Sequence, residues 1–147
     1  MLLRQDISIA PEEKDKIKDS QVFSYYNPQN GLGIGTASIT LTEAVEPDYQ
    51  KSIDQVLKEF SDRGARNIIT KQEEFSSLSG VPGVKVYGSG TFPVTDSGKR
   101  MKGKYAIILF GGKGFLQQVV LSWEEGDSYA EEIVNRIINS IDVKTQV

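Results

Sequence analysis

Apolar and polar residues alternate along most of this chain with a period of two, the spacing of strands; only twice do they take up the spacing of a helix. Val22, Phe23, Tyr25 and Tyr26 mark a strand over residues 21–26, and Asn27-Pro28-Gln29-Asn30-Gly31 after it is turn chemistry. A longer strand follows over 33–42. Ile34, Thr36, Ser38 and Thr40 share one of its faces, and Gly35, Ala37, Ile39 and Leu41 the other, so the two runs predict a hairpin. Strands are also expected over 67–75 and 84–92. In the second of these Gly88 and Gly90 lie on the face of Val84, Val86 and Phe92, where they leave a groove or let another backbone approach. Residues 95–103 read as a polar loop. The near-continuous apolar run 104–110 predicts an inner strand covered on both faces. Gly111-Gly112-Lys113-Gly114 then turns the chain into a strand over 115–123, with Phe115, Val119, Leu121 and Trp123 on one face.

Helical spacing first appears over 48–63, where Tyr49, Ile53, Val56, Leu57 and Phe60 form a stripe and Lys51, Asp54, Lys58 and Asp62 oppose it. Asp48 after Pro47 supplies an N-cap, and Gly64 sits where a left-handed C-cap belongs. The second helix is expected over 128–140, with Ser128 and Glu131 at capping-box spacing. Its stripe is Tyr129, Ile133, Val134, Ile137, Ile138 and Ile141. Residues 1–20 read as a peripheral segment: Ile7 and Ile9 alternate briefly, and 11–18 give one surface turn of helix. Residues 21–147 carry no internal repeat or linker and form a single α+β domain.

Composition removes more functions than any motif supports. The 147 residues include no histidine and no cysteine, which excludes Ser-His-Asp and Cys-His machinery, disulfides and zinc sites of the usual ligand set. A net charge of −3 argues against nucleic acid as the partner, because phosphate binding needs a basic face. No apolar run is long enough to span a bilayer. The opening Met1-Leu2-Leu3-Arg4-Gln5-Asp6 has no signal-peptide pattern. The cytoplasm is therefore the default compartment, with export or anchoring expected only if the native chain starts upstream of Met1.

Each remaining motif also has an ordinary structural role. Gly31-Leu32-Gly33-Ile34-Gly35 lacks the third glycine and the following helix of a dinucleotide loop, and Gly111-Gly112-Lys113-Gly114 lacks Walker spacing, so both read as hairpin turns. Glu124, Glu125 and Asp127 gather oxygen ligands without EF-hand spacing and precede a helix N-terminus, where acids cap and offset the dipole. No pair of carboxylates is tied to a cleft as a glycosidase requires. An enzyme is not expected, nor is a cofactor or metal. Lys99, Arg100, Lys102 and Lys104 form the one dense positive cluster, uninterrupted by acid. Carried on a surface loop, and with Tyr87, which falls on an outer or mixed face as Tyr26 does, they are the candidate contact for a protein or anionic partner. The alternative is a small-ligand or lipid binder with a cavity between sheet and helices, lined by Ile53, Phe60, Val86, Phe92 and Trp123.

The order of elements resembles the PsbP-like fold, shared by the extrinsic photosystem II protein, a Ran-binding nuclear import factor and many bacterial proteins of unassigned role. Residues 23–28, the helix after Pro47, the strand beginning Gly83-Val84-Lys85-Val86, and residues 128–141 carry the resemblance across most of 21–143. It implies a mostly antiparallel sheet with helices packed on its faces, an α/β/α sandwich, and a non-catalytic role in binding or assembly. No functional residue of the family maps onto this chain.

Overall fold

The computed structural model describes residues 2–3, 17–27, 31–93 and 99–141. Its strands are β1 (Leu2–Leu3), β2 (Ile17–Asn27), β3 (Leu32–Leu41), β4 (Arg66–Ser76), β5 (Pro82–Pro93), β6 (Arg100–Gly112) and β7 (Phe115–Glu124). Two helices, α1 (Tyr49–Asp62) and α2 (Ser128–Ser140), complete the described elements. The strands form one sheet in the order β1-β2-β3-β7-β6-β5-β4, antiparallel at every pairing.

The interior follows from the alternation along β6. Tyr105, Ile107 and Leu109 point to the face that α1 covers with Ile53 and Val56, joined there by Val86 and Leu116. Ala106, Ile108 and Phe110 point to the opposite face, where Ala130 and Val134 of α2 meet them together with Val119, Leu121 and Trp123. These two sides are called the α1 face and the α2 face below. Asp48 caps α1 by accepting from the Lys51 N–H at 3.1 Å, and Gly64 ends it at φ +99° with its N–H donated to the Ser61 carbonyl. In α2 the cap is Asp127, one of the acids expected to cap it, which accepts from the Ala130 N–H at 3.0 Å; Ser128, the other candidate by its capping-box spacing, is the first helical residue.

Three expectations are corrected. The chain is not an α/β/α sandwich of PsbP-like type with helices packed over its faces. Among the described residues it is predominantly one antiparallel sheet of six long strands and the two-residue β1, with two helices. The reason is width. Strands spaced about 4.8 Å apart make a seven-stranded sheet about 29 Å across, whereas one helix with its side chains is about 10–12 Å wide. A single helix per face therefore covers a strip over the middle strands, and β4 and much of β2 stay exposed. Second, β2 starts at Ile17, so Ile17 and Lys18 are strand and not the end of a helical turn; residues 4–16 lie outside the described part. Third, residues 100–103 belong to β6 and not to a loop.

Gly88 shows how the edge strand seats itself. A Cβ there would collide with the Ile69 carbonyl, so the bare glycine opens no groove and instead admits the β4 backbone. The buried Tyr105 hydroxyl donates to that same carbonyl at 2.9 Å, next to the bulge between Arg66 and Ile69. Burial pushes the Tyr105 phenol up to about 12 from 10.0. A raised folded-state value means that this stability is complete below pH 10 and is lost as the pH climbs toward 12. Tyr105→Phe is expected to cost roughly 1 kcal/mol near neutrality, the worth of one hydrogen bond and its stranded acceptor. The same variant should lose less stability than the parent on going from pH 8 to 11, as measured by urea unfolding.

Candidate functional site

The positive cluster is organised by strand geometry. Register pairs Pro93 with Arg100, Thr91 with Lys102, Ser89 with Lys104 and Tyr87 with Ala106. Even-numbered residues of β6 face α2, so Arg100, Lys102 and Lys104 stand in one row, with Thr91, Ser89 and Tyr87 beside them on β5. Lys99 is exposed and immediately precedes the strand. The other face holds Met101 and Gly103 opposite Phe92 and Gly90. A Cβ on Gly103 would meet the Phe92 ring at 2.6 Å, so the ring lies directly over the glycine. Pairing with β5 and this ring hold the segment extended despite its polar sequence.

The cations differ in what they touch. The Arg100 guanidinium donates to the Gly64 carbonyl at 2.8 Å and the Thr91 carbonyl at 3.3 Å. It thus places positive charge at the C-terminal end of α1, whose last turn has no basic residue of its own. Lys104 Nζ lies 3.4 Å from Glu131 in the first turn of α2, both side chains being about two-fifths exposed. Lys102 is exposed; its backbone carbonyl accepts from the Glu125 N–H, and its side chain has no partner among the described residues. Tyr87 is half-buried under Lys85, whose Nζ sits 5.1 Å from the ring centroid and 3.4 Å from Glu73. The face therefore offers Lys102 openly and Lys104 in competition with Glu131, while Arg100 serves the fold.

The remaining candidates take ordinary roles. Asp127 caps α2, Glu124 and Glu125 are exposed, and no group of three or more acids gathers as a metal site among the described residues. Gly31, at φ +65°, precedes β3, and Gly114, at φ +85°, turns β6 into β7. The five residues assigned to one cavity do not come together. Ile53, Phe60, Val86 and Phe92 pack on the α1 face, whereas Trp123 belongs to the α2 face. Phe60 packs edge-on against Phe92 and Tyr105 beneath α1, with centroids 5.9 and 5.4 Å apart. The buried Trp123 Nε1 has no hydrogen-bond partner among the described residues. A groove of about 270 Å³ lies elsewhere, between the end of α2 and the edge of the sheet, lined in part by Glu73, Phe75, Lys85 and Ile138.

No family model matches the chain, and no curated protein does. Among solved structures it is similar to the crystal structure of PA94, a protein of unknown function from Pseudomonas aeruginosa. The TM-score is 0.48 at 8% sequence identity, over 99% of each chain. None of these findings identifies a PsbP-like family. Among the described residues no helix is long and apolar enough to cross a membrane.

The division of labour among the cations is measurable. Arg100→Ala is expected to destabilise the fold by roughly 1 kcal/mol through its two carbonyl contacts. Lys102→Ala should stay within about 0.5 kcal/mol of the parent, as exposed substitutions do. Denaturant melts of the two variants check this.

Proposed function

We propose that the chain is a non-enzymatic binding module that engages an acidic protein partner through its α2 face. Lys102 and Lys104 carry the charge, with Lys99 beside them, and Tyr87, Ser89 and Thr91 provide contact surface. The observation that supports this reading is the row on β6: two lysines two residues apart on one face, beside small hydroxyl side chains on β5 that leave the ammonium groups approachable. Alternate residues of a strand repeat at about 6.6–7 Å. That matches alternate carboxylates of an acidic segment bound in extended form. Such charges act mainly on association rate and partner choice, so binding should weaken as salt rises.

The acidic partner is preferred to the small-ligand alternative, because the residues on which a cavity rested are divided between two faces and those on the α1 face pack against one another. The test is fluorescence anisotropy with a labelled oligoglutamate peptide. The double variant Lys102→Glu/Lys104→Glu should weaken binding by roughly tenfold or more, equivalent to about 1.4 kcal/mol. Raised salt should do the same to the parent. Double-variant binding as tight as the parent's, with the fold intact by circular dichroism, would overturn the reading.

A further inference from the structure

Strand β4 ends the sheet, and nine of its eleven residues are exposed. Among the described residues no strand pairs with its outer side, which leaves backbone donors and acceptors along that edge available to another chain. Regular pairing with β5 runs from Ile69, just past the bulge, to Ser76. Within this stretch the α2 face carries Ile69, Lys71, Glu73 and Phe75, in the order apolar, positive, negative, apolar. Read backwards, the pattern is the same with the charges exchanged.

We propose that β4 is a self-association edge that joins two copies of this chain into one continuous antiparallel sheet, across a two-fold axis normal to the sheet at Gln72. In this register Lys71 stands opposite Glu73 of the second copy and Ile69 opposite its Phe75, and symmetry makes each pair twice. The neighbouring centres fail. An axis at Lys71 sets lysine against lysine, and one at Glu73 sets glutamate against glutamate, directly opposed like charges that destabilise a sheet. Gln72 is also the midpoint of 69–75, the regular stretch shorn of its last residue. On the other face Thr70 meets Glu74 and Gln72 meets itself, with no like charges opposed.

The existing contacts fit this register. Glu73 already lies 3.4 Å from Lys85 of β5, and Lys71 is paired with Tyr87. Across the join the row reads Lys85, Glu73, then Lys71 and Tyr87 of the second copy, with charge alternating over the new boundary. Ile69, 60% exposed in the single chain, gains the Phe75 ring, which is already half-buried against Phe110. Charges on an edge strand ordinarily keep sheets apart. Here the same two charges select one pairing and reject its neighbours. The inference is independent of the acidic-partner reading, since it needs neither Lys102 nor Lys104.

Sedimentation equilibrium of the parent and of charge variants tests the proposal. The parent is expected to dimerise. Lys71→Glu alone and Glu73→Lys alone should each raise the dimer dissociation constant by roughly tenfold or more, since each variant opposes like charges twice. Mixed in equal amounts they should pair with each other, because every cross-pair is again complementary. Cysteine scanning reads the register directly, for the chain has no cysteine of its own. Opposed residues of an antiparallel pair lie about 4.5–5.5 Å apart at Cα, within disulfide reach. Gln72→Cys should crosslink by itself under mild oxidation, whereas Thr70→Cys and Glu74→Cys should crosslink only when mixed. Circular dichroism confirms that each variant is folded. A parent that stays monomeric at millimolar concentration overturns the proposal. So do charge variants that dimerise as the parent does, or equal crosslinking of all three cysteine variants alone.

Discussion

Residues 105–110 of β6 are at most 2% exposed, and neighbours on a strand point to opposite sides. Burying such a run requires cover on both faces at once. Removing α1 would return Tyr105, Ile107 and Leu109 to water, and removing α2 would return Ile108 and Phe110 with the small Ala106, at roughly 1.5–3 kcal/mol for each fully buried large side chain. Both helices answer this requirement. Ile53 and Val56 close over Tyr105, Ile107 and Leu109, while Ala130 and Val134 close over Ala106, Ile108 and Phe110. The flanking strands β5 and β7 contribute apolar residues to both sides in register with β6, so the core is two layers sharing one strand. Elements farther from β6 contribute less to the interior, and their side chains become progressively more exposed toward β4.

The period-two runs of β3, β5 and β7 and the capped stripe of α1 were legible in the sequence because local chemistry decides them. Asp48 and Gly64 act on residues within one turn of themselves. The start of β6 was not legible, because residues 100–103 carry no apolar alternation. They are extended because β5 pairs with them and Phe92 lies over Gly103, contacts made across a polar connection. The sequence left two N-cap residues for α2, because Asp127 and Ser128 are both good capping types and composition does not choose between them; the fold uses Asp127. The sandwich expectation failed for another reason. Periodicity tells which residues face inward but not how many strands lie side by side, and sheet width decides how much two helices can cover.

The same distinction governs the candidate site. The cluster of positive charge was visible in the sequence, but its internal differences were not. Arg100 is bound to the carbonyls of Gly64 and Thr91, 36 and 9 positions away, and backbone acceptors leave no mark in a charge pattern. Lys104 meets Glu131 only because β6 and the first turn of α2 are neighbours in space. Trp123 was grouped with Ile53 and Phe60 because all are large and apolar. Alternation within β7 places it with Val119 and Leu121, but relating that face to α1 requires the register between strands.

The hydroxyl of Tyr105 connects the deepest layer of the molecule to its outer margin. By holding the Ile69 carbonyl beside the bulge, it sets the residue at which the edge strand becomes regular. The phase of the outward-facing backbone groups along β4 is thus referenced to an atom inside the core and not to anything on the surface. Substitutions at Tyr105, or ones that shift β6 along its axis, would be read out as a displaced template at the perimeter. Variation in the core of this fold is therefore also variation in the pattern it presents to its surroundings.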